Sequence, residues 1–292
     1  PFLLYSLKGF FYDYSLSFHK FIDWNIIYFP FLKTNSNLNT MKKLYYLLPF
    51  IFLACKSSTT TTAEKEPKSA LKPIEVTYKV NETEISDFLK YLSSDELEGR
   101  ETGTKGIEKA AVFLEDYLKK NNVKPYFKTY RDTLTNFKSP AYNIVGVIEG
   151  TDPELKKEFV VLSAHYDHIG KIAAVNGDDI GNGANDNATG TTAVTEVAKY
   201  FAKFKNNKRS VLFVFFSAEE KGLLGSKHLA AKLKEQKMDL YFMFNFEMIG
   251  VPMKDKGMDF YLTGFGKSNM ATTMNEYAGE KLVGYLPIET KY

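Results

Sequence analysis

The chain has 292 residues, 44% of them hydrophobic and 25% charged, the make-up of a globular protein with enough apolar material for a buried core and at most two compact units. Its 38 basic and 35 acidic residues leave a formal net charge of +3, too small an excess to indicate a nucleic acid or an acidic partner. Cys55 is the only cysteine, which excludes an intrachain disulfide and a thiolate metal site, so any metal must be held by His, Asp and Glu.

Residues 1–40 start with Pro1 and are crowded with aromatics at no sustained period. They are expected to be upstream sequence that the natural protein does not carry, because Met41 opens a more sensible N-terminus; a membrane-associated leader is the alternative. After Met41 come Lys42 and Lys43, the apolar run LYYLLPFIFLA and then Cys55, the order of a secretory signal too short to span a bilayer. Residues 41–55 resemble a bacterial lipoprotein signal. That implies export and a lipid on Cys55, with the protein facing the periplasm or the cell exterior; an ordinary signal peptide is the other reading. Residues 56–80 are polar, threonine-rich and proline-bearing, too poor in apolar surface to order themselves, and read as a tether. The folded domain is expected over 81–292.

Ile85, Phe88, Leu89 and Leu92 share one helical face and predict a helix over 83–92; Ile107, Ala110, Ala111, Leu114 and Leu118 predict another over 106–120. Between them Gly99, Gly103 and Gly106 mark a loop. Two β-rich runs follow, 125–130 and 142–148. The order then becomes strand 159–164, helix 191–204, strand 210–216, helix 223–233 and strand 240–246, with one more strand and helix at 259–263 and 268–277. Such alternation predicts an α/β three-layer sandwich with a mostly parallel, mixed central sheet and helices on both faces.

In open α/β sheets ligands bind beyond the carboxyl ends of the strands. Strand 159–164 runs into His165 and Asp167, strand 210–216 into Glu219 and Glu220, and strand 240–246 into Glu247, while Asp186 lies in a glycine-flanked loop before a helix. Acids gathered at one sheet edge repel one another unless a positive charge sits between them, and a divalent cation supplies it. His165 and Asp167 are two apart on an extended segment, so Asp167 or a carboxylate near it can accept the hydrogen of the ring nitrogen that does not bind metal. Glu219 and Glu220 are adjacent and point apart: one can bind metal while the other takes a proton from water. His168 falls on the opposite side of its segment and, like His228 in the register of a helix, reads as an ordinary structural histidine. Asp178 and Asp179 read as loop residues. The run NGDDIGNGANDNATG departs from EF-hand spacing and lacks its closing Glu, so imidazole with carboxylates points to zinc rather than calcium.

The motifs SAHYDHIG, GANDNATGTTA, FSAEEKGLLGS and NFEMIG, in that order, resemble those of the cocatalytic zinc exopeptidases that include bacterial leucyl aminopeptidase, aminopeptidase Y and glutamate carboxypeptidase II. The likeness covers about residues 83–265. It implies two zinc ions, with Asp186 bridging them, His165 and Glu247 completing one site, Glu220 serving the other and Glu219 acting as general base. The substrates implied are peptides, cleaved at their N-terminal residues. Many members carry Asp where Glu247 stands, which keeps the donor type and changes its reach. The resemblance also implies a last histidine ligand beyond Tyr292, so the domain is expected to be C-terminally incomplete and poorly active. Two other functions fit the same fold: a single-zinc glutaminyl cyclase, and an envelope lipoprotein that only binds.

Overall fold

The computed structural model describes residues 78–252 and 258–285. The expectations for residues 1–77, Cys55 among them, lie outside the described residues.

Helix α1, Glu82–Leu92, starts where the Asn81 side chain accepts hydrogen bonds from the N–H groups of Thr83 and Glu84 at 3.1 and 3.2 Å. That cap satisfies donors with no partner inside the helix, and Glu82 and Glu84 suit the positive end of its dipole. Helix α2, Lys105–Lys120, buries Ile107, Ala110, Ala111, Leu114 and Leu118, the stripe that their spacing predicts. Between the helices Asp95–Arg100 forms a short 3₁₀ stretch rather than open loop. Gly106 is required there, because a Cβ on it would lie 1.9 Å from the Leu97 carbonyl oxygen.

Strands β1, Lys124–Pro125, and β2, Arg131–Thr133, both pair antiparallel with β3, Tyr142–Ile148. The β-rich run expected at 125–130 is therefore not one strand. Pro125 faces Gly146 and Arg131 faces Ile144, so the chain between them stands opposite Val145 alone and must bulge away from the ladder. Strand β4, Glu158–His165, is followed by β5, Gly170–Val175, and β6, Asp178–Gly181, which form an antiparallel hairpin. The hairpin was not expected, although Asn176-Gly177, both at positive φ, is a strong two-residue turn signal. Asp178 and Asp179 thus belong to a strand, not a loop.

Helix α3, Thr189–Phe204, strand β7, Ser210–Phe216, helix α4, Leu224–Glu235, and strand β8, Asp239–Asn245, complete the main unit. A small pair of strands, β9 Phe260–Tyr261 and β10 Val283–Gly284, packs with helix α5, Met270–Ala278, around Leu282 and Val283.

The sheet runs β1-β3-β7-β4-β8, with β2 also on β3. Strands β7, β4 and β8 are mutually parallel, and β3 joins them antiparallel, which makes the sheet mixed. Every residue of β7 is buried, and its side chains alternate between two cores. Val211, Phe213 and Phe215 meet α1, α2 and α3 on one face, while Leu212, Val214 and Phe216 meet Leu229 of α4 on the other. Each such side chain contributes roughly 1.5–3 kcal/mol on burial. The rigid three-layer frame holds the carboxyl ends of β4, β7 and β8 side by side. Among the described residues no helix is long and apolar enough to cross a membrane.

Candidate metal centre

The register decides what meets at the sheet edge. His165, the last residue of β4, pairs with Phe216, the last of β7, and the Phe246 N–H donates to the Ser163 carbonyl at 2.8 Å, just past β8. Three chains therefore leave the sheet at one level, carrying His165, Glu219 with Glu220, and Glu247. The fourth contributor is the loop before α3, where Asp186 precedes a cis peptide to Asn187.

Two groups of donor atoms result. His165 Nε2 lies 3.2 Å from Asp186 Oδ1 and 3.2 Å from Glu247 Oε1. His168 Nδ1 lies 3.0 Å from Glu220 Oε1 and 3.9 Å from the same Asp186 oxygen. Within each group the donor atoms lie within 4.8 Å of one another. His168 is thus drawn into the cluster, contrary to its reading as a structural histidine. The pleat that assigned it to the far side ends with β4 at His165, so the alternation does not reach it.

Glu219 belongs to neither group and is buried beside both. Its Oε1 has no hydrogen-bond partner. Burial, followed by the charges of Glu247, Asp167 and Glu220, pushes its carboxyl up to about 8, against the pull of His165. For His165 burial opposes protonation, but Glu247, Asp167 and Asp186 together raise it well above the ordinary imidazole range. Asp186 is also penalised by burial, yet His165, His168 and Arg100 hold it below the usual carboxylate value. Clustered carboxylates and imidazoles around a buried, unpartnered oxygen fit a divalent cation, and one imidazole with two carboxylates in each group suits zinc.

Asp167 lies beneath the cluster, fully buried. It accepts hydrogen bonds from Thr102 Oγ1 at 3.0 Å and from the N–H groups of Glu219 and Glu220 at 3.1 and 3.3 Å. Its carboxylate therefore anchors the turn that presents both glutamates. His165 Nδ1 approaches the Asp167 carbonyl oxygen, at 3.1 Å, more closely than the Asp167 carboxylate, at 3.6 Å. The backbone atom is the better acceptor for fixing the ring.

Two supporting residues were not picked out from the sequence. Asn187 donates to the Phe246 carbonyl at 2.8 Å and to Glu247 Oε2 at 3.2 Å, and accepts from the N–H groups of Gly190 and Met248 at 3.0 and 3.2 Å. It thereby ties the Asp186 loop to the end of β8. Arg100, only 1% exposed, donates to the carbonyls of Tyr166, Asn182 and Gly183 at 2.9, 2.8 and 2.9 Å, and to that of Leu92. Burial lowers its guanidinium to about 10 despite Asp167 and Asp186, so it stays charged. The glycines of DELEGRETGTKG were the available sign that this loop had a task. His228, on α4, stays apart, 3.4 Å from Asp132 on β2.

Residues 143–286 match the model of peptidase family M28. His165, Asp186, Glu219, Glu220 and Glu247 all fall inside the matched segment, whereas Arg100 and Thr102 precede it. Aminopeptidase YwaD of Bacillus subtilis is 30% identical over 142 residues, covering 48% of this chain and 29% of that protein. Leucine aminopeptidase 2 of Trichophyton equinum is 36% identical over 114 residues, covering 38% and 20%. The chain thus spans less than a third of these curated relatives. Among solved structures, the LapA aminopeptidase of Legionella pneumophila superposes with a TM-score of 0.54 at 23% identity, over 75% of this chain and 60% of that one. The zinc aminopeptidase BSAP of Bacillus subtilis does so at 0.52 and 16%, over 69% and 78%. These likenesses bear on the fold.

Proposed function

We propose that the protein is a zinc-dependent aminopeptidase that releases N-terminal residues from peptides. The observation that carries this reading is Glu219, a buried carboxylate with an unpartnered oxygen set between two donor groups that share Asp186. His165, Asp186 and Glu247 would hold one ion, and Asp186 with Glu220 a second. Bound there, zinc supplies Lewis acidity and lowers the pKa of a water. Glu219 takes a proton from the attacking water and returns it to the departing amine. Asp167 positions the Glu219-Glu220 turn through the two backbone N–H groups it accepts. The names of the M28 relatives, aminopeptidase and leucine aminopeptidase, support the same substrate class.

The test is hydrolysis of leucine p-nitroanilide and of an unblocked peptide by zinc-loaded protein. Release of amino acids from free N-termini is expected, with none from N-acetylated peptides. Cleavage of the acetylated peptides at the same rate would overturn the exopeptidase reading.

We propose in addition that the protein is exported and lipid-anchored at Cys55. Lys42, Lys43 and the apolar run up to Ala54 support it. Palmitate labelling that persists in Cys55→Ala would refute it.

A further inference from the structure

The turn that presents Glu219 and Glu220 is held by three successive backbone donors. The N–H groups of Glu219 and Glu220 donate to the two oxygens of Asp167 at 3.1 and 3.3 Å, and that of Ala218 donates to Thr102 Oγ1 at 3.1 Å. Consecutive N–H groups that converge make a concavity suited to an anion, here the Asp167 carboxylate with the Thr102 hydroxyl at its rim. Ala218 sits at a φ of +54°, a left-handed conformation that a residue with a Cβ keeps only where its surroundings impose it.

A hydroxyl can donate and accept at once, and Thr102 Oγ1 does both: it accepts from Ala218 and donates to Asp167 Oδ2 at 3.0 Å. Thr102, Asp167 and Ala218 are all buried, so water does not take over either bond. We infer that Thr102 is a positioning residue for the reaction: its hydroxyl locks the Asp167 carboxylate to the start of the Glu219-Glu220 turn and so sets where Glu219 points. The inference rests on the aminopeptidase reading above and extends it to a residue outside the family match, 116 positions from the turn it holds. The neighbours of Thr102 fasten the same region. Arg100 donates to the carbonyl of Tyr166, next to Asp167, at 2.9 Å, and Glu101 pairs at 2.7 Å with Lys221, just past Glu220. The Glu101-Lys221 pair is 38% and 34% exposed, and an ion pair so placed contributes little. The buried hydroxyl carries the positioning.

The test compares Thr102→Val, which keeps the shape and removes the hydroxyl, with Thr102→Ser, which keeps the hydroxyl. Turnover of leucine p-nitroanilide is measured at saturating zinc and per folded molecule, as judged by circular dichroism. Thr102→Val should lower kcat roughly 10–100-fold with KM unchanged, because a displaced general base is missed only in the transition state. Thr102→Ser should recover most of the loss. Hydrogen exchange read by mass spectrometry over residues 214–224 follows the turn independently of turnover, and protection there should fall in Thr102→Val and return in Thr102→Ser. If Thr102→Val does not fold, Thr102→Ala, which also lacks the hydroxyl, takes its place. A merely structural threonine would lower the melting temperature and leave kcat of the folded fraction unchanged; that result would overturn the inference, as would unaltered exchange. A wild type that hydrolyses no peptide, with protection lost in Thr102→Val, would sink the aminopeptidase reading and leave the hold on the turn standing.

Discussion

Glu219→Gln should uncouple stability from function in a pH-dependent way. Glu219 is 9% exposed, and three carboxylates raise its pKa to about 8 once burial has begun the shift. In metal-free protein the folded state therefore keeps a proton that the unfolded chain releases near its ordinary value of 4.5. The folded state binds more protons between those two values, so this contribution to stability is full below the unfolded pKa and is lost as pH rises through the folded one. A shift of about 3.5 pKa units corresponds to roughly 4–5 kcal/mol of differential interaction, an upper figure because a metal-free site can relax and admit water. Gln keeps the shape and cannot ionise. Urea melts in chelator should find the two proteins equally stable near pH 4, with the variant ahead by on the order of a few kcal/mol at pH 9. Saturating zinc should narrow the gap, since a nearby cation favours the carboxylate. Turnover of zinc-loaded Glu219→Gln should fall by roughly 10²–10⁴-fold with zinc content kept, as expected for loss of a general base. Stability profiles that stay parallel from pH 4 to 9 would refute the electrostatic argument, and retained turnover the catalytic one.

Asn187→Ala removes the amide that holds Glu247 Oε2 and should weaken zinc binding roughly 10–100-fold, as loss of an outer hydrogen bond to a ligand does; an unchanged competition titration would count against it. Gly183→Ala places a methyl against the His168 ring and the Asp186 carbonyl oxygen, at a φ of +60°. It should cost the folded protein on the order of 1–3 kcal/mol in a chemical melt and displace one ion, whereas wild-type zinc content would refute the close approach. Arg100→Met leaves several buried carbonyls without donors and should destabilise by about 3–5 kcal/mol, with a melting temperature unchanged within a degree as the contrary result.

Much of the scaffold is written in local patterns. The stripe of Ile107, Ala110, Ala111, Leu114 and Leu118 sets α2 because helical spacing brings those side chains to one face. The unbroken apolar run SVLFVFF sets β7 because a strand buried on both faces has no polar side. The sites of His165, Glu219, Glu220 and Glu247 were legible for the same reason, since each follows directly on such a strand. The hairpin of β5 and β6 also has a local signal, the Asn176-Gly177 turn, set among acids and asparagines that suit a loop equally well.

Other features depend on distance. His168 lies past the end of β4, where side-chain alternation no longer holds, and its direction comes from the Arg100 carbonyl and the space left at Gly183. Arg100 reaches carbonyls up to 83 residues away, and Asn187 reaches Glu247 across 60. By itself the sequence determined which elements form and which donors stand at their ends, because periodicity and strand termini act over a few neighbouring residues. Only the tertiary structure decided how those donors divide into two groups around Asp186, because that division depends on sheet register and on buried hydrogen bonds between segments far apart in the chain.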